Sequence, residues 1–139
     1  MNWLAWALLS ALFAGFTAVL AKVGVENINS HLATAIRTIV VLIFTWSIAV
    51  VTVKPVDWPT ITSRQWLFLT LSGVATGLSW LCYFRALQLA EVSKVAPIDK
   101  LSVAIAIAFS VLFLGERVTS HGLIGAGLII AGTLVIAGK

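Results

Sequence analysis

Charge is what this chain has least of. Its 139 residues carry nine Lys and Arg and five Asp and Glu, 10% of the whole, against 60% hydrophobic residues, and the mean hydropathy is +1.08. A soluble domain of this size cannot cover so apolar a composition with polar surface, so a soluble globular fold is excluded. Cysteine is almost missing as well. Cys82 stands alone, which excludes a disulfide scaffold or a cysteine–zinc cluster within one chain. His31 and His121 lie at span starts rather than in a pair with ligand spacing, and there is no HExxH, no GxSxG and no Walker lysine loop. No catalytic residue, metal or cofactor is therefore expected. The formal net charge of +4 comes from single bases scattered over loops and span ends. Without a basic face, nucleic acid is not an expected partner.

What the chain does have is long apolar runs, over about residues 3–21, 31–53, 65–89, 92–114 and 118–138. At 1.5 Å per residue each reaches about 30 Å, the thickness of a bilayer's hydrocarbon core. The expected fold class is all-α integral membrane, five transmembrane helices in a single domain over 1–139. The first run has no Lys or Arg before it and outlasts a signal-peptide core, so it reads as a retained helix. Lys54-Pro55-Val56-Asp57-Trp58-Pro59 reads as a surface connection, its prolines stopping the second helix and Trp58 suited to the headgroup region.

Five crossings put the termini on opposite sides. One side then carries Lys22, Arg85, Lys94 and Lys139, the other Lys54, Arg64 and Arg117. Four bases against three hardly select an orientation under the positive-inside rule. Two arrangements stand: one fixed orientation, or insertion both ways with pairing as an antiparallel homodimer. The second would assemble ten helices with the inverted-repeat symmetry of many transporters.

Residues three and four apart share a helical face. Ser10, Ala14, Thr17 and Ala21 line up in the first run, Thr34, Thr38, Thr45 and Thr52 in the second, Ser72, Thr76, Ser79 and Tyr83 in the third with Trp80 on the adjoining strip, and Asp99, Ser102, Ala106 and Ser110 in the fourth. Such stripes line a shared cavity or let membrane helices pack closely. Ala7, Ala11 and Gly15, Gly73 and Gly77, and Gly122 with Ala126 read as packing seams.

The intramembrane charges carry the functional expectation. Asp99 and Lys100 fall about two turns inside the fourth run, where each charge costs about 2.5 to 3.5 kcal/mol on insertion scales, so such groups face a bundle interior or a watery cavity. They sit about 100° apart on a helix. Pro97, which removes the backbone bond to the Ser93 carbonyl, is the expected source of a helix distortion that brings them together. Asp99 would exchange a proton, hold a cationic group or simply neutralise a neighbouring base; Lys100 and Arg37 would meet an anionic group. Arg37 lies about 9 Å inside the second run, close enough to its start for the side chain to snorkel outward instead. Arg85, about 200° from the Ser72 to Tyr83 stripe, reads as an end-of-helix anchor, and Lys22 with Glu26 as a wet loop.

Ser93-Lys94-Val95-Ala96-Pro97, the apolar run closing in Leu112-Phe113-Leu114-Gly115-Glu116-Arg117-Val118, and the glycine-rich last run from Gly122 to Gly132 resemble the EamA domain of the drug/metabolite transporter superfamily. The resemblance covers one five-helix repeat, where most members carry two of inverted topology. It implies gradient-driven export or exchange of solutes across a bacterial cytoplasmic membrane without nucleotide hydrolysis, and it favours pairing with a second copy. The related small multidrug resistance proteins couple protons through an acid in their first helix; Met1 to Ala21 has none, leaving Asp99 to replace it. The expected function is alternating-access transport of small anionic or zwitterionic metabolites, with Asp99, Lys100, Arg37, Trp80, Tyr83, Ser79 and Ser102 as binding or coupling residues. The alternatives are a flippase component for lipid-linked or phosphate-bearing substrates and a non-transporting assembly subunit. The bilayer, a second copy of the chain and a small-molecule substrate are the expected partners.

Overall fold

A computed structural model describes residues 2–54 and 61–138. The Lys54 to Pro59 connection, beyond Lys54 itself, and Lys139 of the charge count lie outside them. The described residues form helices without strands: α1 (Trp3–Gly24), α2 (Ser30–Thr52), α3 (Ser63–Leu89), α4 (Val92–Asp99), α5 (Leu101–Phe109), a π-helical turn (Ser110–Leu114) and α6 (Ser120–Ala137). With α4, α5 and the π turn counted as one crossing, Val92–Leu114, five helices are long and apolar enough to cross a membrane.

Local chemistry sets the helix starts. The Asn2 side chain accepts from Ala5 N, and Asn29 caps α2 by accepting from His31 N at 2.8 Å. Thr62 and Gln65 form a reciprocal capping box, Gln65 Oε1 accepting from Thr62 N at 2.8 Å and Thr62 Oγ1 from Gln65 N at 3.3 Å. Each satisfies backbone donors that have no partner inside the helix. This box starts α3 at Ser63, two residues ahead of its apolar run. At the other end of the fourth crossing Gly115 takes φ +67°, and the Ser110 carbonyl accepts from both Gly115 N and Glu116 N. A side chain is disfavoured in that left-handed conformation, which explains the glycine in Leu114-Gly115-Glu116.

Contacts group the chain into two compact units, one of Met1–Val19 with Leu89–Lys139 and one of Leu20–Gln88. In the first, α4 and α5 both pack against α6. Thr133, buried in the C-terminal third of α6, donates from Oγ1 to Ile129 O at 2.8 Å and to Pro97 O at 3.3 Å. In the second, α2 and α3 run antiparallel, tied at one end through the last turn of α1. Lys22 Nζ donates to Leu87 O at 2.6 Å, and Leu87 and Val25 are the most deeply buried large side chains. Lys22 is thus a half-buried strap at the end of a helix and no part of a wet loop: its long stem reaches the carbonyl of a neighbouring helix end.

The hydroxyl stripe of α2 is satisfied within its own helix. Thr34, Thr38, Thr45 and Thr52 each donate to the carbonyl four residues back at 2.8 Å, as does Thr76 of α3 at 2.9 Å, so these hydroxyls need no ligand. At Gly15, Gly73 and Gly77, three of the expected seam positions, an added methyl group would meet nothing within 4 Å among the described residues of its own unit. Gly122 differs, since a Cβ there would lie 2.9 Å from Val118 Cγ1. At most 11% of any spanning window is buried. Large apolar side chains such as Phe16, Val51 and Phe113 are left to lipid or to another polypeptide.

Candidate functional site

Within the Leu20–Gln88 unit, Arg37 of α2 meets α3. Its guanidinium lies 4.1 Å from the centroid of the Trp80 ring and 5.6 Å from that of Phe84. One α-helical turn separates Trp80 from Phe84, so both rings project from the same side of α3, and Phe84 is buried at 3% exposure while Trp80 is half-buried. Cation–π contacts of this kind contribute about 0.5 kcal/mol at exposed sites and about 2 when desolvated. Among the described residues Arg37 makes no ion pair. A guanidinium offers five donors in a planar fork, and stacking on a ring leaves that fork's edge open to a carboxylate or phosphate. Of the residues expected from the sequence, Arg37 and Trp80 are therefore brought together, while Tyr83 is half-buried on the same helix and Ser79, next to Trp80, is exposed.

The second group belongs to the other unit. Pro97 sits inside α4, and the helical ladder breaks three residues later. Lys100 N bonds Pro97 O at 3.0 Å, a tighter turn than the α-helical one, and Val103 N then bonds Lys100 O. Asp99 ends α4 and Leu101 begins α5, so the two charged residues occupy the break. Lys100 Nζ lies 3.7 Å from Asp99 Oδ2, a loose ion pair outside hydrogen-bond range, with 55% and 39% of the two side chains exposed. Ser102, just past the break, is exposed. Irregular backbone and charge at membrane depth are tolerated only against protein or water.

The ends of α2 and α3 hold residues that the helical wheel passed over. A cavity of about 470 Å³ is lined by Ile28, Asn29, Ser30, His31, Arg85 and Gln88. Gln88 Nε2 donates to Val25 O at 3.2 Å and to Ile28 O at 2.6 Å, and its Oε1 accepts from Arg85 Nη1 at 3.0 Å. Arg85 is thus held by an amide clamp, a role that the spacing of Arg85 and Gln88, three apart near a helix end, would have signalled.

The model of the EamA-like transporter family matches residues 1–138. The chain belongs to that family. It is 52% identical over 139 residues to a Sinorhizobium sp. protein named "Uncharacterized transporter in cobO 3'region", a match covering 98% of this chain and 96% of that one. It is also 27% identical over 132 residues to the Bacillus subtilis (strain 168) protein named "Uncharacterized transporter YxxF", covering 91% of this chain and 40% of the longer relative. No solved structure matches. Membership in the EamA-like family accounts for a multi-pass helical membrane protein and points to transport rather than catalysis.

Proposed function

We propose that this EamA-like protein carries small anionic or zwitterionic metabolites across a bacterial cytoplasmic membrane by alternating access, as an antiparallel homodimer. The observation that carries the substrate class is Arg37: a guanidinium in a spanning helix, stacked 4.1 Å over Trp80 and without an ion pair among the described residues. A permanent cation at that depth costs free energy unless a group of opposite charge or water meets it, and a substrate carboxylate or phosphate serves that purpose. Zwitterions fit as well, with Asp99 available for a cationic group.

The exposed Asp99–Lys100 pair supports a second copy. One chain leaves more than a third of each side chain uncovered, at a depth where lipid is the costly alternative. The unit's size agrees with pairing. The Sinorhizobium relative is nearly coextensive with this chain, whereas the match takes up 40% of the Bacillus relative, leaving room there for a second unit of the same size. Both relatives are bacterial, which supports the location.

Counterflow in liposomes tests the proposal. Vesicles loaded with unlabelled amino acids, dicarboxylates or sugar phosphates are expected to accumulate the labelled form of at least one anionic or zwitterionic class, while a quaternary ammonium compound is not accumulated. No accumulation of any solute, or accumulation of the cation alone, would contradict it.

A further inference from the structure

We infer that the ends of α2 and α3 form a second anion-binding site, in which Arg85, His31 and Ser30 take a phosphate group together with the small moiety that bears it. Three observations converge on the cavity there. First, Arg85 is positioned rather than free to sweep. Its Nη1 is fixed by Gln88 Oε1, and Gln88 is fixed in turn by the Val25 and Ile28 carbonyls, leaving the other guanidinium donors for a ligand. Among the described residues Arg85 makes no ion pair.

Second, Ser30 lines the cavity at 5% exposure, and its hydroxyl has no hydrogen-bond partner among the described residues; only its carbonyl is engaged, accepting from Thr34. No fully enclosed side-chain polar atom among those residues lacks a partner, so the Ser30 hydroxyl opens onto the cavity. A phosphate oxygen in the cavity would accept from it. Third, the cavity measures about 470 Å³, a small-molecule volume that exceeds a bare phosphate. His31, on its wall, adds an imidazole N–H donor in either protonation state. Nearby Glu26 is exposed and does not line the cavity.

The phosphate has two possible sources, an anionic lipid headgroup or a soluble phosphorylated molecule, because the cavity lies at the ends of spanning helices. Arg37 lies about 9 Å further along α2, so a bound anion would have a next station. That hand-over rests on the transport reading, whereas binding at this cavity does not.

Thermal unfolding of the full chain in neutral detergent separates the sources. One arm adds inorganic phosphate against chloride of equal ionic strength, and the other adds phosphatidylglycerol against phosphatidylcholine. At least one ligand is expected to raise the unfolding temperature, phosphate identifying a soluble source and phosphatidylglycerol alone a lipid one. Arg85→Gln is expected to weaken the effective ligand by about tenfold or more, with partial rescue in Arg85→Lys, and Arg64→Gln, at the opposite end of α3, is expected to leave it unchanged. Should Arg85→Gln fold poorly, Ile28→Asp and Ile28→Lys on the cavity wall are expected to weaken and strengthen binding respectively, each by up to about fivefold. Stabilisation by neither ligand, or stabilisation kept in full in Arg85→Gln, would overturn the site. Failure of counterflow with this binding intact would overturn transport alone.

Discussion

Arg37→Gln is expected to raise the substrate concentration needed for half-maximal counterflow by about ten- to a hundredfold, because a hydrogen bond to a charged group is worth about 1.5 to 3 kcal/mol. The glutamine keeps length and a donor but removes the charge that opposes a substrate anion. Arg37→Lys should fall between, since an ammonium keeps the charge yet loses the planar fork and its stacking on Trp80. Trp80→Leu should resemble Arg37→Lys. The indole holds the guanidinium through a contact worth at most about 2 kcal/mol, and an aliphatic chain of helical propensity preserves α3. Unchanged half-saturation in Arg37→Gln at normal abundance would remove Arg37 from the substrate site.

Asp99→Asn is expected to lower proton-gradient-driven accumulation by at least tenfold while substrate exchange without a gradient continues. Asparagine matches aspartate in size and cannot exchange a proton. The same change leaves Lys100 without its carboxylate 3.7 Å away, at an insertion cost of about 2.5 to 3.5 kcal/mol, so the abundance of the single variant should fall. The double variant Asp99→Asn with Lys100→Met separates the two effects. If Asp99 couples protons, the double variant regains abundance without regaining uphill transport. If the carboxylate only neutralises Lys100, both return together.

The helices were legible in the sequence because bilayer thickness imposes one length and one composition on every crossing. The break at Lys100 was less so. Pro97 announces a distortion, but the interruption falls three residues later, where Lys100 N tightens onto the Pro97 carbonyl and Thr133 of α6 donates to that same oxygen. That placement depends on a residue 36 positions away in the chain. Arg37 beside Trp80 was visible only as two polar stripes on separate helices, since neither register nor spacing says which rungs of α2 and α3 meet. The bonding of Arg85 was hidden for a related reason. The wheel measures direction from a helix's own axis, and what gives Arg85 its setting is a loop carbonyl at Ile28 reaching Gln88. Periodicity marks Thr34, Thr38, Thr45 and Thr52 as a face but is blind to their bonds with their own backbone.

In the proposed homodimer an inverted second copy covers the charged break in the fourth crossing. The most direct test of this pairing is the sidedness of a single cysteine, which the lone native Cys82 makes simple. In a Cys82→Ala background, Ser120→Cys places a thiol at the exposed start of α6, and a membrane-impermeant maleimide is applied to intact cells. Insertion in both orientations predicts labelling of about half of the protein before permeabilisation and of the remainder after it. Labelling of all of it, or of none, before permeabilisation would show a single orientation and contradict the antiparallel homodimer.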